Sequence, residues 1–176
     1  MASPNRTLED RIRAIEDRLE IYNLIASHPP SADTGADYYT RAAYVGDGEL
    51  DLGRGKAMTG NDAIAAVTKS PAHQAAIAGG LAHFAGLPRI ELDGDRAVVT
   101  SYLQILTPHP TAQPHEVPNH GVSTGFRIHR VAANRWELER GASGWKIRKR
   151  TVRTIDGSEP PREILRGALK SFETVR

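Results

Sequence analysis

Apolar residues recur along the first part of the chain at steps of three and four: Leu8, Ile12, Ile15, Leu19, Tyr22 and Ile25. This is the period of an amphipathic helix, so the pattern predicts one helix from Thr7 to about Ser27. Its outer face would carry Glu, Asp and Arg, and its apolar stripe would meet a core. Thr7 can cap the helix, with Asp10 placed as the acidic member of a capping box. Pro29 and Pro30 end it, because His28, the residue before a proline, is pushed out of helical geometry. A short helix is expected at Asp37–Tyr44 and a brief strand in "ELDLGR". "GNDAIAAVTKS" reads as a helix capped by Asn61 or Asp62, and Pro71 to Gly79 as an alanine-rich helix.

Past Gly79 the character changes to strands. "LPRIEL" and "RAVVTSYLQIL" flank Asp93-Gly94-Asp95, a hairpin signal because Asp-Gly supplies the positive φ of a tight reversal. "PHPTAQPHEVPNHG" is a loop rich in proline and histidine. "STGFRIHRV", "NRWELER" and "GWKIRKRTVRTI" read as three more strands, the last two joined by "GASG". A final helix from Pro161 to Phe172 places Ile164, Leu165, Ala168, Leu169 and Phe172 on one face. Helices first and an antiparallel meander afterwards define an α+β fold, with the N-terminal helices covering one face of a strongly curved sheet to form a cone. No internal repeat or boundary interrupts it, so residues 1–156 are expected to form one domain, with 157–176 as its C-terminal helical extension.

Composition narrows the function classes. The 176 residues are 39% apolar and 25% charged, ordinary values for a globular chain. The absence of cysteine excludes disulfides, thiolate nucleophiles and cysteine-based zinc sites. The N-terminus has no apolar signal core and no stretch reaches membrane-spanning length, so a soluble, cytoplasmic protein with no membrane partner is expected. A formal net charge of +2 is too small to argue for nucleic acid, and the basic "WKIRKRTVR" lacks interleaved aromatic residues. No nucleic-acid partner is expected. His109, His115 and His120 do not have metal-ligand spacing, and "GRGKAMTG" lacks the spacing of a phosphate loop, so neither metal nor cofactor is expected.

The residues with chemical potential are His83, inside the otherwise apolar "LAHFAG", Asp33 in "HPPSAD", and Arg150 in "GWKIRKR". In this order, after a long first helix, they resemble the SnoaL-like branch of the NTF2-like α+β cone proteins over roughly Leu8 to Asp156. The nearest resemblance is to the hexachlorocyclohexane dehydrochlorinases and scytalone dehydratases. It implies that Asp33, His83 and Arg150, the last counted from Trp145, are catalytic. The dehydrochlorinase lysine five residues before the aspartate is His28 here, and the second histidine of the dehydratases is replaced by Leu103. Relatives of this kind imply a homo-oligomer, trimer or dimer.

These residue types also go together chemically. A neutral imidazole can take a proton near pH 7. A buried carboxylate can hold its other nitrogen and stabilise the imidazolium. A guanidinium, always charged, can stabilise a departing or developing anion. Other readings stay open: His83 as a half-buried strand residue, Asp33 as a helix N-cap, and His28 as an end-cap on a helix dipole. Strict alternation places Trp145, Ile147 and Lys149 on one strand face and Arg150 on the other, so Arg150 points outward unless a bulge shifts the parity, with Arg153 as its substitute. Tyr22, Tyr38, Phe84 and Tyr102, with His28, are candidates to touch the substrate; Tyr39, Tyr44 and Trp136 share the same ambiguity between pocket and core. The expected function is a cofactor-independent lyase, a dehydratase or dehydrohalogenase, acting on a small, apolar, cyclic molecule through a His-Asp dyad. The rivals are an isomerase or cyclase of the polyketide-cyclase or ketosteroid-isomerase type, and a non-catalytic small-molecule-binding protein.

Overall fold

The computed structural model describes residues 7–170. Helix α1 (Leu8–Ala26) begins at the expected capping box, in which Thr7 Oγ1 accepts from the Asp10 amide and Asp10 accepts from the Thr7 amide. Its orientation differs from the expected one. Asp17, Ile21 and Ile25 are the buried residues, whereas Leu8, Ile12, Ile15, Leu19 and Tyr22 are exposed. Polar anchors set the rotation. Asp17 forms a bidentate pair with Arg140 and accepts from Trp145 Nε1 at 3.2 Å. Glu20 accepts from the Trp145 amide at 2.8 Å, and Arg18 donates to the Ile90 carbonyl at 2.8 Å.

The prolines after α1 begin a new helix, and His28, expected to be pushed out of helical geometry, is its first residue. α2 (His28–Thr34) carries Pro29 and Pro30 in its first turn, where an amide N–H has no helical partner to lose. Gly35, at φ 65°, closes it in the left-handed conformation that glycine adopts without strain. α3 (Asp37–Ala43), α4 (Asn61–Thr68) and α5 (Pro71–Ala78) complete the helical layer. Gly60, not Asn61 or Asp62, holds the N-cap position of α4, while Ser70 caps α5 with its side chain.

The main sheet runs in the order β2-β1-β9-β8-β5-β3, with β4 also paired to β5. Its strands are β1 (Tyr44–Asp51), β2 (Met58–Thr59), β3 (Ala82–Ala85), β4 (Arg89–Asp93), β5 (Arg96–Pro108), β8 (Phe126–Gly141) and β9 (Gly144–Thr154). All pairings are antiparallel except β1 with β9. The two segments expected as separate strands between Ser123 and Arg140 form one long β8. The expected proline-rich loop contains a small hairpin, β6 (His115–Val117) and β7 (Gly121–Ser123).

The inner face of the sheet is read by alternation: Ala97, Val99, Ser101, Leu103 and Ile105 on β5, and Leu138, Trp136, Asn134 and Ala132 on β8. Helices α1 and α4 close one end over Ile21, Ile25, Ile64, Trp136 and Trp145. The other end, around Leu103, Ile105, Ala132 and Val152, is less filled and holds the cavity. Helix α6 (Glu159–Gly167) packs on β8 and β9, with Pro161 and Ala168 buried. Phe172, the last apolar residue expected on this helix, lies outside the described residues. No helix among the described residues is long and apolar enough to cross a membrane.

Candidate active site

A cavity of about 330 Å³ opens between the helical layer and the inner face of the sheet. That volume suits a small molecule. Leu81, Leu103, Ile105 and Val152 form its sheet side, and Ile64 and Val67 its α4 side. Its ionisable lining residues include His28, His73, His83 and Arg150 deep in the cavity, with Arg54, His129 and Arg130 also on its wall.

β3 and α2 bring His83 and Asp33 together. Asp33 stands in the last turn of α2, where it caps no helix, since the residue at the N-cap of α3 is Ala36. Asp33 Oδ1 lies 2.5 Å from His83 Nδ1, and Oδ2 accepts from the His83 backbone amide at 2.9 Å. A carboxylate against Nδ1 keeps the proton there and leaves Nε2 as a free lone pair. The His83 side chain is 10% exposed. Burial holds the imidazole below its usual pKa, and Asp33 pulls in the opposite direction. The ring is therefore neutral at pH 7, the state a general base requires.

Arg150 faces inward, against the strict alternation expected from sequence. The parity changes at a bulge. Glu137 of β8 pairs with Lys149 while Leu138 pairs with Ile147, which leaves Arg148 as the extra residue. Arg148 turns outward to Glu139 and Asp47 at 2.9 Å, and beyond it Arg150 and Val152 take the buried face. Arg153 is on the outer side, paired with Asp51 at 2.6 Å. Arg150, 5% exposed, has its guanidinium 4.1 Å from the Trp136 ring centroid. Its Nε and Nη2 donate to Asn134 Oδ1, both at 3.2 Å, and Nη1 donates to His28 Nδ1 at 3.3 Å. The Tyr44 hydroxyl also interacts with it. Burial lowers the guanidinium pKa, yet arginine starts so high that it stays charged.

His28 does not end-cap α1, whose C-cap is Ser27. Its ring packs edge-on against Trp136 at 5.4 Å and stands 6.0 Å from His83. Burial, reinforced by the positive charge of Arg150, pushes its pKa well below the ordinary value. A neutral ring that accepts at Nδ1 carries its proton on Nε2.

Four expected substrate contacts lie elsewhere. Tyr38 is 73% exposed and Phe84 58%, and Tyr22 and Tyr102 are also on the outside. Alternation explains two of them: Phe84 follows the inward His83, and Tyr102 lies between the inward Ser101 and Leu103. Tyr44, by contrast, is buried and lines the cavity.

The structure adds residues that sequence reasoning passed over. His73 of α5 lines the cavity beside His83, with ring centroids 6.4 Å apart. Its Nε2 lies 2.8 Å from the Ala32 carbonyl and so carries the proton. Asn134 and Arg130 share the inner face of β8 with Trp136, a relation the even spacing 130, 134, 136 could have revealed.

A sequence profile for the SnoaL-like domain matches residues 13–151. No curated protein matches the chain. Among solved structures, an NTF2-like protein with a cystatin-like fold from Novosphingobium aromaticivorans is 33% identical, with 90% of this chain and 97% of that chain covered and a TM-score of 0.78. A protein provisionally named scytalone dehydratase, from the same organism, is 16% identical over 85% of this chain and 89% of its own, with a TM-score of 0.59. A protein from Catenulispora acidiphila is 17% identical over 84% and 96%, with a TM-score of 0.64. The two more distant likenesses show a shared fold.

Proposed function

The chain belongs to the SnoaL-like family, and we propose that it is a cofactor-independent lyase acting on a small cyclic substrate in this cavity. SnoaL-like and NTF2-like proteins include dehydratases, cyclases and isomerases. Within that range, the double contact of Asp33 with the ring and backbone of His83 carries the reading. His83 Nε2 removes a proton from carbon. The C–H electron pair becomes the new double bond as the bond to the leaving group on the adjacent carbon breaks. Asp33 holds Nδ1–H and stabilises the imidazolium. Arg150 stabilises negative charge on the departing halide or on an oxygen conjugated with the breaking C–H bond. If the leaving group is hydroxyl, the proton taken by His83 returns to it and water departs. The apolar side chains around the site, among them Ile64, Leu103, Ile105 and Val152, keep these interactions strong.

The test is incubation in D2O with cyclic β-hydroxy ketones and vicinal halocarbons, followed by mass spectrometry and by release of water or halide. Loss of the leaving group by the wild type, and its absence in His83→Ala, is the expected result. Deuterium uptake or double-bond migration with the leaving group retained would favour an isomerase or cyclase instead. Inertness across the panel, with ligands still bound, would favour a binding protein.

A further inference from the structure

The cavity mouth carries more positive charge than an apolar substrate needs. Arg54, from the loop after β1, and Arg130, near the outer end of the inner face of β8, line the cavity together with Arg150. No aspartate or glutamate lines it. The carboxylates of the neighbourhood are committed elsewhere, Asp33 to His83 and Asp51 to Arg153. Among the described residues neither Arg54 nor Arg130 forms a salt bridge, and Arg130 Nε is buried with no hydrogen-bond partner. Burial and the charge of Arg54 both lower the Arg130 pKa. An unsatisfied buried donor is costly and rare in a folded protein. Two adjacent guanidiniums without a carboxylate fit a planar oxyanion supplied from outside.

We infer that Arg130 and Arg54 form a subsite for a carboxylate on the substrate. This rests on the cavity being the reaction site and narrows the substrate to a small cyclic acid. Its carboxylate would sit at the mouth while the reacting carbons reach His83. The probes are 2-naphthoate and its neutral isostere 2-naphthamide, measured by calorimetry at low and at 0.5 M salt. The wild type should bind the carboxylate at least about 10-fold more tightly than the amide, and salt should shrink the difference. Arg130→Gln should abolish the preference, Arg54→Gln should reduce it, and His83→Ala should keep it. Equal binding of the two probes, no binding of the carboxylate by the wild type, or a preference that survives Arg130→Gln overturns the subsite. The His83→Ala arm separates the two ideas, because a carboxylate preference can persist where no elimination occurs.

A second inference stands on α1 alone. Leu8, Ile12, Ile15, Leu19 and Tyr22 are spaced by four, three, four and three, the seam of a heptad repeat, and all are exposed. The buried Asp17 and Ile21 each stand two residues, roughly 200° of helix rotation, beyond Ile15 and Leu19. The seam therefore points away from the sheet. Stable monomers seldom leave so continuous an apolar strip open. The charges beside the seam select its partner. Glu9 and Glu16 flank one side, and Arg11 and Arg18 flank the other. In a parallel pair of identical helices, Arg11 meets Glu16 of the second copy, whereas an antiparallel pair sets like charges together.

We propose that a second copy of this chain covers the strip, with the two α1 helices parallel along a two-fold axis. Sedimentation equilibrium should show a dimer in the wild type and a monomer in Leu19→Glu with unchanged circular dichroism. Arg11→Glu and Glu16→Arg should each weaken the dimer, and the double exchange should restore it. A wild type that stays monomeric at every loading concentration, an assembly untouched by Leu19→Glu, or a dimer strengthened by Arg11→Glu overturns it.

Discussion

Replacing Arg150 with methionine separates stability from function. The guanidinium is 5% exposed and meets no carboxylate among the described residues. Burying a charge costs several kcal/mol even after relaxation. That cost is offset by the Trp136 ring face, worth about 2 kcal/mol in a dry setting, and by donation to Asn134 Oδ1 and His28 Nδ1. Methionine fills similar space and removes the desolvation cost, but it loses the ring contact and leaves Asn134 Oδ1 unmet, about 1–3 kcal/mol. Opposing terms of similar size leave a net change within about 2 kcal/mol in either direction, less than the roughly 3–5 kcal/mol lost when a buried ion pair is broken. Turnover of an elimination substrate should fall about 10²–10³-fold, the usual effect of losing one stabilising donor in a transition state. Equilibrium urea unfolding followed by circular dichroism, beside initial rates, reads both. A stability loss above about 3 kcal/mol would refute the reasoning, because Arg150 would then be holding the fold rather than serving the reaction.

Other consequences concern pH and the anchoring of α1. His28 and His83 both have pKa values lowered in the folded protein, so on acidification the unfolded chain binds their protons first. Stability should be fully present above pH about 6.5 and fall below it, by up to about 1.4 kcal/mol per pH unit for each histidine, and His28→Gln should remove one histidine's share of the slope. Urea midpoints between pH 5 and 8 check this. Asp17 is held below the ordinary carboxylate range chiefly by Arg140, so its contribution is present above pH about 4 and lost as pH falls through its lowered folded value. Asp17→Ala leaves Arg140 without its main partner and should cost about 3 kcal/mol, read by thermal or urea unfolding at neutral pH. Gly144, at φ 92°, would place a Cβ against the Glu20 carboxylate, so Gly144→Ala should cost about 1–3 kcal/mol and free the Trp145 amide to exchange faster with solvent.

The sequence carried most of the architecture because its signals were local. A capping box, an Asp-Gly reversal and period-two strands each depend on a few neighbouring residues; the first two formed where expected, and so did most of the strands, although two merged into β8. Long-range contacts decided what was missed. α1 carries apolar residues on two faces, and nothing within the helix says that Asp17 will meet Arg140, more than a hundred residues away in the chain. Arg150 turned inward because of a bulge between β8 and β9, which belongs to a strand pair and cannot be seen in either strand alone. The approach of Asp33 to His83 was suggested by a family pattern, while their hydrogen bonds depend on how α2 packs against β3. Phe84 and Tyr102 could have been excluded earlier, since strand alternation around His83 and Leu103 already points them outward.

The central claim is that Asp33 holds and tunes His83 as a base. A heteronuclear NMR titration of the His83 ring in the wild type and in Asp33→Asn tests it most directly. The wild-type ring should titrate below the ordinary histidine value with its proton on Nδ1, and Asp33→Asn should lower the pKa further and disturb that tautomer. Identical titration and tautomer in the two proteins would mean that the residues do not communicate, and the lyase mechanism would be contradicted.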